Sequence, residues 1–349
     1  MKRFNEPTTL DVGSVDDRGE PAVSGDRFQR AARVTTLNID IHQHLWPEPL
    51  LDALRARTGA PRLRGWTLEL AGEPPYEVDP RHHDPEARRV QARAEGLDLA
   101  LIAPSCPLGI ELLAPEESRE LLDAYHDGAL ELPAPFGAWA GACLTDLDPD
   151  GLRRELDRGF VGLALPATAL GTEHGYVRLA PLLEVLEETG RPLFIHPGPA
   201  AAPEAAPSWW PTVVDYVEQM YESWYAFRAF GRSRHPTLRV CFAMLAGLAP
   251  LHGERLLARA GLRTVVDEDS FLEVSSYGTR AIDATVRVLG IDVLVGGSDQ
   301  PYASPAFSDL GAAAVAAIRG ANPLRLLDHK GGVDVPTADS GPQSRRVRA

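Results

Sequence analysis

The sequence predicts a (β/α)8 barrel, on three observations: eight short apolar runs recur along the body of the chain, amphipathic segments separate them, and no G-x-G-x-x-G follows the first run. Alternation of this kind is the signature of βα units around a parallel sheet, whose strands are buried on both faces. Eight repeats suit a closed barrel better than an open doubly wound sheet, and the missing glycine fingerprint weakens a dinucleotide fold further.

In chain order the expected strands are Leu37 to Ile41, Leu97 to Ala103, Phe136 to Ala142, Phe160 to Leu165, Pro192 to Ile195, Leu238 to Ala243, Phe271 to Val274 and Val293 to Gly296. Each is a run of four to seven mostly apolar residues, too short for a helix core. Helices are expected at Asp84 to Glu95, Pro115 to Leu130, Val177 to Thr189, Val213 to Phe230, Leu251 to Ala260 and Thr279 to Leu289, several opened by Asp, Pro or Thr and closed by Gly. The barrel domain therefore spans residues 35–330. A disordered N-terminal extension is expected over 1–34 and a disordered tail over 331–349, because both are poor in large apolar side chains and lack periodicity.

Bulk numbers bound the function. With 349 residues, 44% of them hydrophobic, the chain can bury a large core. A net charge of -14 argues against nucleic acid or an anionic membrane as the main partner and leaves a small-molecule substrate. Cys106, Cys143 and Cys241 are odd in number and contain no C-x-x-C pair, so no disulfide framework is expected. No apolar leader or membrane-length stretch is present, which predicts a cytoplasmic setting.

In such a barrel the chemistry sits at the carboxyl ends of the strands. The first run ends in His42 and His44, two residues apart and so on one face of a strand; the fifth ends in His196 and the eighth in Asp299. Three imidazoles and a carboxylate converging over the barrel axis would form a mixed N/O site for one divalent metal ion. Taken singly, His196 also fits a capped core histidine and Asp299 a helix cap.

The segments DIHQHLWPEPLL, PLLEVLEETGRPLFIHPG, HPTLRVCFAMLAGLAPL and GGSDQPY resemble the amidohydrolase superfamily, in the amidohydrolase-related branch that includes aminocarboxymuconate semialdehyde decarboxylase. The resemblance runs from about Leu37 to Leu327. It implies His42, His44, His196 and Asp299 as ligands of zinc, with manganese the alternative, and a homodimer by analogy with relatives. Phe160 to Ala167 contains no lysine for a second metal, so one ion is implied. The chain departs from the family at its sixth strand, where a histidine followed by Leu-Gly-Gly is usual and FAMLAG places Met244 instead. A thioether neither donates nor accepts a proton.

Around this centre, His174 in the loop after the fourth strand is the expected second proton-handling group, with His82 and His83 also near the mouth and His235 at the surface. Trp46, Trp209, Trp210, Met244 and Tyr302 are the expected substrate walls, and Arg62, Arg64 and Arg228 the candidate carboxylate clamps. Three activities follow in order of expectation. The first is metal-dependent hydrolysis of a small carboxylate-bearing or cyclic molecule, with Asp299 as base and acid; the second is non-oxidative decarboxylation at the same site; the third is ligand binding without catalysis, because Met244 replaces the strand-six histidine.

Overall fold

A computed structural model of the protein describes residues 37–201, 203, 205–304, 309–329, 332–336 and 344–347. The expected extension over 1–34 lies outside the described residues. Eight parallel strands form: β1 (Ile39–Gln43), then, after an excursion of three short strands β2 (Arg62–Arg64), β3 (Thr67–Glu69) and β4 (Tyr76–Glu77), β5 (Leu99–Ile102), β6 (Phe136–Ala138), β7 (Leu163–Pro166), β8 (Leu193–His196), β9 (Val240–Phe242), β10 (Ser270–Glu273) and β11 (Leu294–Val295). Hydrogen bonding orders them as β1-β5-β6 and β11-β10-β9-β8-β7. Two parallel bridges, Ala140 with Leu163 and Gln43 with Gln300, join these arcs into one ring. At the second seam Ile41 N donates to Gly296 O at 2.9 Å and Asp299 N to His42 O at 2.8 Å. The barrel is closed, as the eight-run count predicts.

The helices cover this ring. Among the described residues they are α1 (Glu48–Ala56), α2 (Pro85–Ala94), α3 (Pro115–Leu130), α4 (Pro149–Arg158), α5 (Glu173–Thr189), α6 (Tyr216–Ala226), α7 (Gly253–Ala260), α8 (Thr279–Leu289) and the short α9 (Ala312–Ala316) and α10 (Asn322–Leu327). The segment expected as a helix from Val213 to Phe230 is one helical run, in which π-helical turns at Pro211–Asp215 and Phe227–Gly231 flank α6. Strand residues are buried on both sides of the sheet, from Ile39 and Ile41 round to Leu294 and Val295. The antiparallel sheet β2–β4, α1 and α4 were not among the expected elements. Strands of two or three residues, such as RLR and YE, leave no readable alternation. The tail expected to be loose from residue 331 contains a two-stranded antiparallel pair, β12 (Val333–Pro336) with β13 (Ser344–Val347).

Strand β9 ends in an unusual turn. Met244, Leu245, Ala246, Gly247 and Leu248 all have φ between 49° and 63°, a left-handed run containing four residues with a Cβ. Each such residue costs about 1–2 kcal/mol, so the surrounding packing must hold the turn. Gly247 packs closely against α6: a Cβ there would stand 2.5 Å from Val217 O. Gly247→Ala is expected to destabilise the fold by about 2–4 kcal/mol in urea unfolding, combining strain with overlap. A loss below 0.5 kcal/mol would show that the turn is not held as described.

Candidate metal centre

The barrel delivers four side chains to one point. His42 is the fourth residue of β1, His44 lies just beyond it, His196 ends β8, and Asp299 follows β11. One ligand atom from each lies within 4.8 Å of all the others. His42 Nε2 is 3.1 Å from His44 Nε2, which is 3.3 Å from His196 Nε2. Asp299 Oδ1 lies 3.4 Å from His42 Nε2 and 3.2 Å from His44 Nε2. Asp299 reaches this position from a backbone φ of 57°, a region that aspartate tolerates better than most residues.

Each imidazole is oriented from its far side. His42 Nδ1 faces Glu273 Oε2 at 3.1 Å, His44 Nδ1 faces Ala103 O at 3.1 Å, and His196 Nδ1 faces Pro197 O at 2.9 Å. Three acceptors on the Nδ1 atoms assign the ring protons there. The three Nε2 lone pairs are then turned toward one another and toward a carboxylate oxygen. Lone pairs at this spacing repel, and a divalent cation among them converts that repulsion into coordination. The donor set of three neutral imidazoles and one carboxylate fits zinc or manganese.

Buried charge follows the same logic. Burial alone would raise the Asp299 carboxyl, but the adjoining His42 and His44 rings hold it below its ordinary value. His196 is pushed well down by burial and by its two imidazole neighbours, which keeps its Nε2 free. His42 moves the other way: burial opposes its charge, yet Asp299 and Glu273 raise its affinity for a proton.

No protein-family model matches the chain, and no curated protein matches it in sequence. Solved structures do match in shape. An amidohydrolase II superposes with a TM-score of 0.65 at 18% identity, over 83% of this chain and 99% of that one. The 5-carboxyvanillate decarboxylase of Novosphingobium aromaticivorans, in complex with manganese and 4-hydroxy-3-methoxy-5-nitrobenzoic acid, gives 0.62 at 18% identity, over 84% and 96%. The 2,6-dihydroxybenzoate decarboxylase from Rhizobium gives 0.59 at 16% identity, over 84% and 98%. The fold is that of the amidohydrolase (β/α)8 barrels.

Several expected residues take other places in this barrel. Trp46 is not a pocket wall: it is buried, stacked on His83 at 4.2 Å, and its Nε1 donates to Ser105 Oγ at 2.9 Å, beneath the His44 loop. His174 is exposed on the first turn of α5 and is not among the converging ligands. Trp209 is exposed, and half-buried Trp210 is tied to Asp215 Oδ1 at 3.0 Å. Met244 is half-buried and donates its backbone N–H to Glu273 Oε2 at 3.2 Å. Tyr302 stands close, its ring 5.7 Å from that of His44. Half of its surface is open, but desolvation of its hydroxyl, with Tyr76 and Asp299 beside it, pushes the phenol well above its usual range, so it remains a donor.

None of the three expected clamps serves the centre. Arg62 pairs with Glu69 Oε2, Arg64 is exposed, and Arg228 bonds Val265 O while stacking on Trp224. The cation that matters is Arg88 of α2, which is buried and donates to His44 O at 2.8 Å, His82 O at 2.9 Å and Gln43 Oε1 at 2.8 Å. Burial lowers it to about 10, so it stays charged at neutral pH. His235 is buried rather than at the surface, its Nδ1 2.9 Å from Glu187 Oε2. Sequence also missed Glu273, Tyr76 and Tyr216, because a carboxylate inside FLEV and tyrosines spaced along polar segments carry no ligand-like pattern.

His83 supports this loop as a neutral ring, its Nδ1 accepting the Trp46 N–H at 3.0 Å. Burial and the nearby Arg88 charge lower it to about 3. Because the unfolded value is near 6.5, this group's stability contribution is complete above pH 6.5 and is lost as the pH falls toward 3. In His83→Asn, whose amide oxygen replaces the Nδ1 acceptor, thermal unfolding followed across that window is expected to be less pH-dependent. Equal slopes for the two proteins would contradict a neutral His83.

Proposed function

We propose that the protein is a divalent-metal-dependent, non-oxidative decarboxylase of a small aromatic carboxylic acid. The observation that carries this reading is the His42–His44–His196–Asp299 group with its converging Nε2 atoms, set in a barrel whose matched neighbours include 5-carboxyvanillate and 2,6-dihydroxybenzoate decarboxylases. Hydrolysis, the first expectation from sequence, has no comparable support among them.

His42, His44, His196 and Asp299 would hold the ion, which when bound supplies Lewis acidity and an anchor for the substrate carboxylate. Zinc and manganese both suit the donors, and manganese is the ion named for the carboxyvanillate enzyme. The chain's own contribution is a single proton. Decarboxylation breaks the bond between ring carbon and carboxylate, releases CO2 and puts one proton on that carbon. Asp299 is the carboxylate at the centre, placed to take a proton from a substrate hydroxyl or solvent water and to pass it to that carbon as the bond to CO2 breaks. One such group suffices for this reaction, which accommodates Met244 where a histidine is usual. The phenols of Tyr216 and Tyr302 stand near Asp299, with Tyr76 beside Tyr302, and provide neutral donors for ring substituents.

With zinc or manganese added, hydroxybenzoic acids are expected to release CO2, followed by loss of substrate absorbance and trapping of the gas. Asp299→Asn should lower turnover about 100- to 10,000-fold. Release of an acid or amine without CO2 from a cyclic amide or ester would favour hydrolysis; binding of the benzoates without turnover would leave a binding protein.

A further inference from the structure

The Glu273 carboxylate lies at the end of β10, fully buried, and no activity has yet been attached to it. Four donors converge on it. Besides His42 Nδ1 and Met244 N, it accepts from the Ser275 hydroxyl at 2.7 Å and from the Ser275 backbone N–H. It thus ties together three strands of the barrel mouth: β1 with its metal ligand, β9 with its left-handed turn, and β10 itself.

Space for it is provided by the loop that follows β11. A Cβ on Gly297 would lie 2.4 Å from Glu273 Oε1 and 2.6 Å from both Cδ and Cγ. Gly297 has no positive φ to explain a glycine there. Its lack of a side chain is what admits the carboxylate, and it stands two residues before the ligand Asp299.

We infer that Glu273, seated against Gly297, is a positioning residue of the metal centre: it fixes the His42 ring with Nε2 toward the ion and anchors the Met244 turn to the same carboxylate. A carboxylate behind a ligating imidazole selects its tautomer and strengthens it as a donor, typically by 10- to 100-fold in metal affinity. The same atom, Oε2, holds Met244 N, so displacing the carboxylate disturbs ligand and turn together. This inference rests on the metal reading above.

The test is metal affinity of the full chain by chelator competition, with the visible spectrum of the Co2+-loaded protein as a second readout. Wild type is measured first, and absence of binding there would refute the metal reading itself. Glu273→Gln is expected to weaken zinc and manganese binding about 10- to 100-fold and to shift the Co2+ bands, and Gly297→Ala should do the same by pushing the carboxylate away. Because both act through one group, the double variant should lose no more than the weaker-binding single variant. Glu273→Asp, which retains the charge, should recover part of the affinity. Should Glu273→Gln not fold, Gly297→Ala and Glu273→Asp carry the test. Wild-type affinity and spectrum in the folded variants, or fully additive losses in the double, overturn the inference.

Discussion

The constraint on which the rest of the structure depends is the meeting of three imidazole lone pairs and a carboxylate oxygen in one buried place. Nothing about that meeting is favourable by itself. The chain enforces it from behind, with an acceptor on every Nδ1, and the acceptors come from three different parts of the mouth: Ala103 beyond β5, Pro197 beyond β8 and Glu273 on β10. A closed barrel is suited to this because its parallel strands deliver their carboxyl ends to a common rim, and closure fixes the distance across it. The seam bond from Asp299 N to His42 O at 2.8 Å shows the economy of the arrangement, since it closes the sheet and sets two ligands side by side.

A second layer holds the loops that carry the ligands. Arg88 reaches in from α2 to the carbonyl of His44, while Asp40 accepts from the His42 N–H at 3.1 Å, from Gln43 Nε2 at 2.8 Å and from the Ser298 N–H at 3.1 Å. Loop backbone that would be soft in solvent is thereby paired on several sides. Buried polar networks of this kind are stable only when nearly every member is satisfied, and each lost partner exposes another. The left-handed turn at Met244 belongs to the same layer: its strain is tolerable because Glu273 holds one end and α6 closes over Gly247.

Legibility from sequence divides along physical lines. The eight strands were readable because parallel strands must be apolar on both faces, and His42, His44, His196 and Asp299 because each follows such a run directly. Trp46 was misread, since an aromatic beside a ligand signals proximity but not direction, and its ring turns down onto His83 rather than out into a pocket. His174 failed for a similar reason: the loop expected to carry it is short, and the residue falls on the first exposed turn of α5. Glu273, Arg88 and Tyr76 were illegible because their roles depend on partners roughly 40 to 230 positions away, and no local spacing encodes such a partner.

Charge supplies the remaining argument for an ion. The charged groups that touch the centre or its loops include the buried carboxylates of Asp40 and Glu273, the partly exposed carboxylate of Asp299 and the buried guanidinium of Arg88. Carboxylates outnumber the guanidinium there, in surroundings where uncompensated charge is expensive. A cation held among the ligands offsets that excess. The raised proton affinity of His42 is the same imbalance seen from within the chain, with Asp299 and Glu273 drawing positive charge onto the one ligand that lies between them. The neutral acceptors behind His44 and His196 exert no such pull, and both rings are driven toward the uncharged form that a metal requires. Ligand geometry and the excess of carboxylates both favour a cationic occupant.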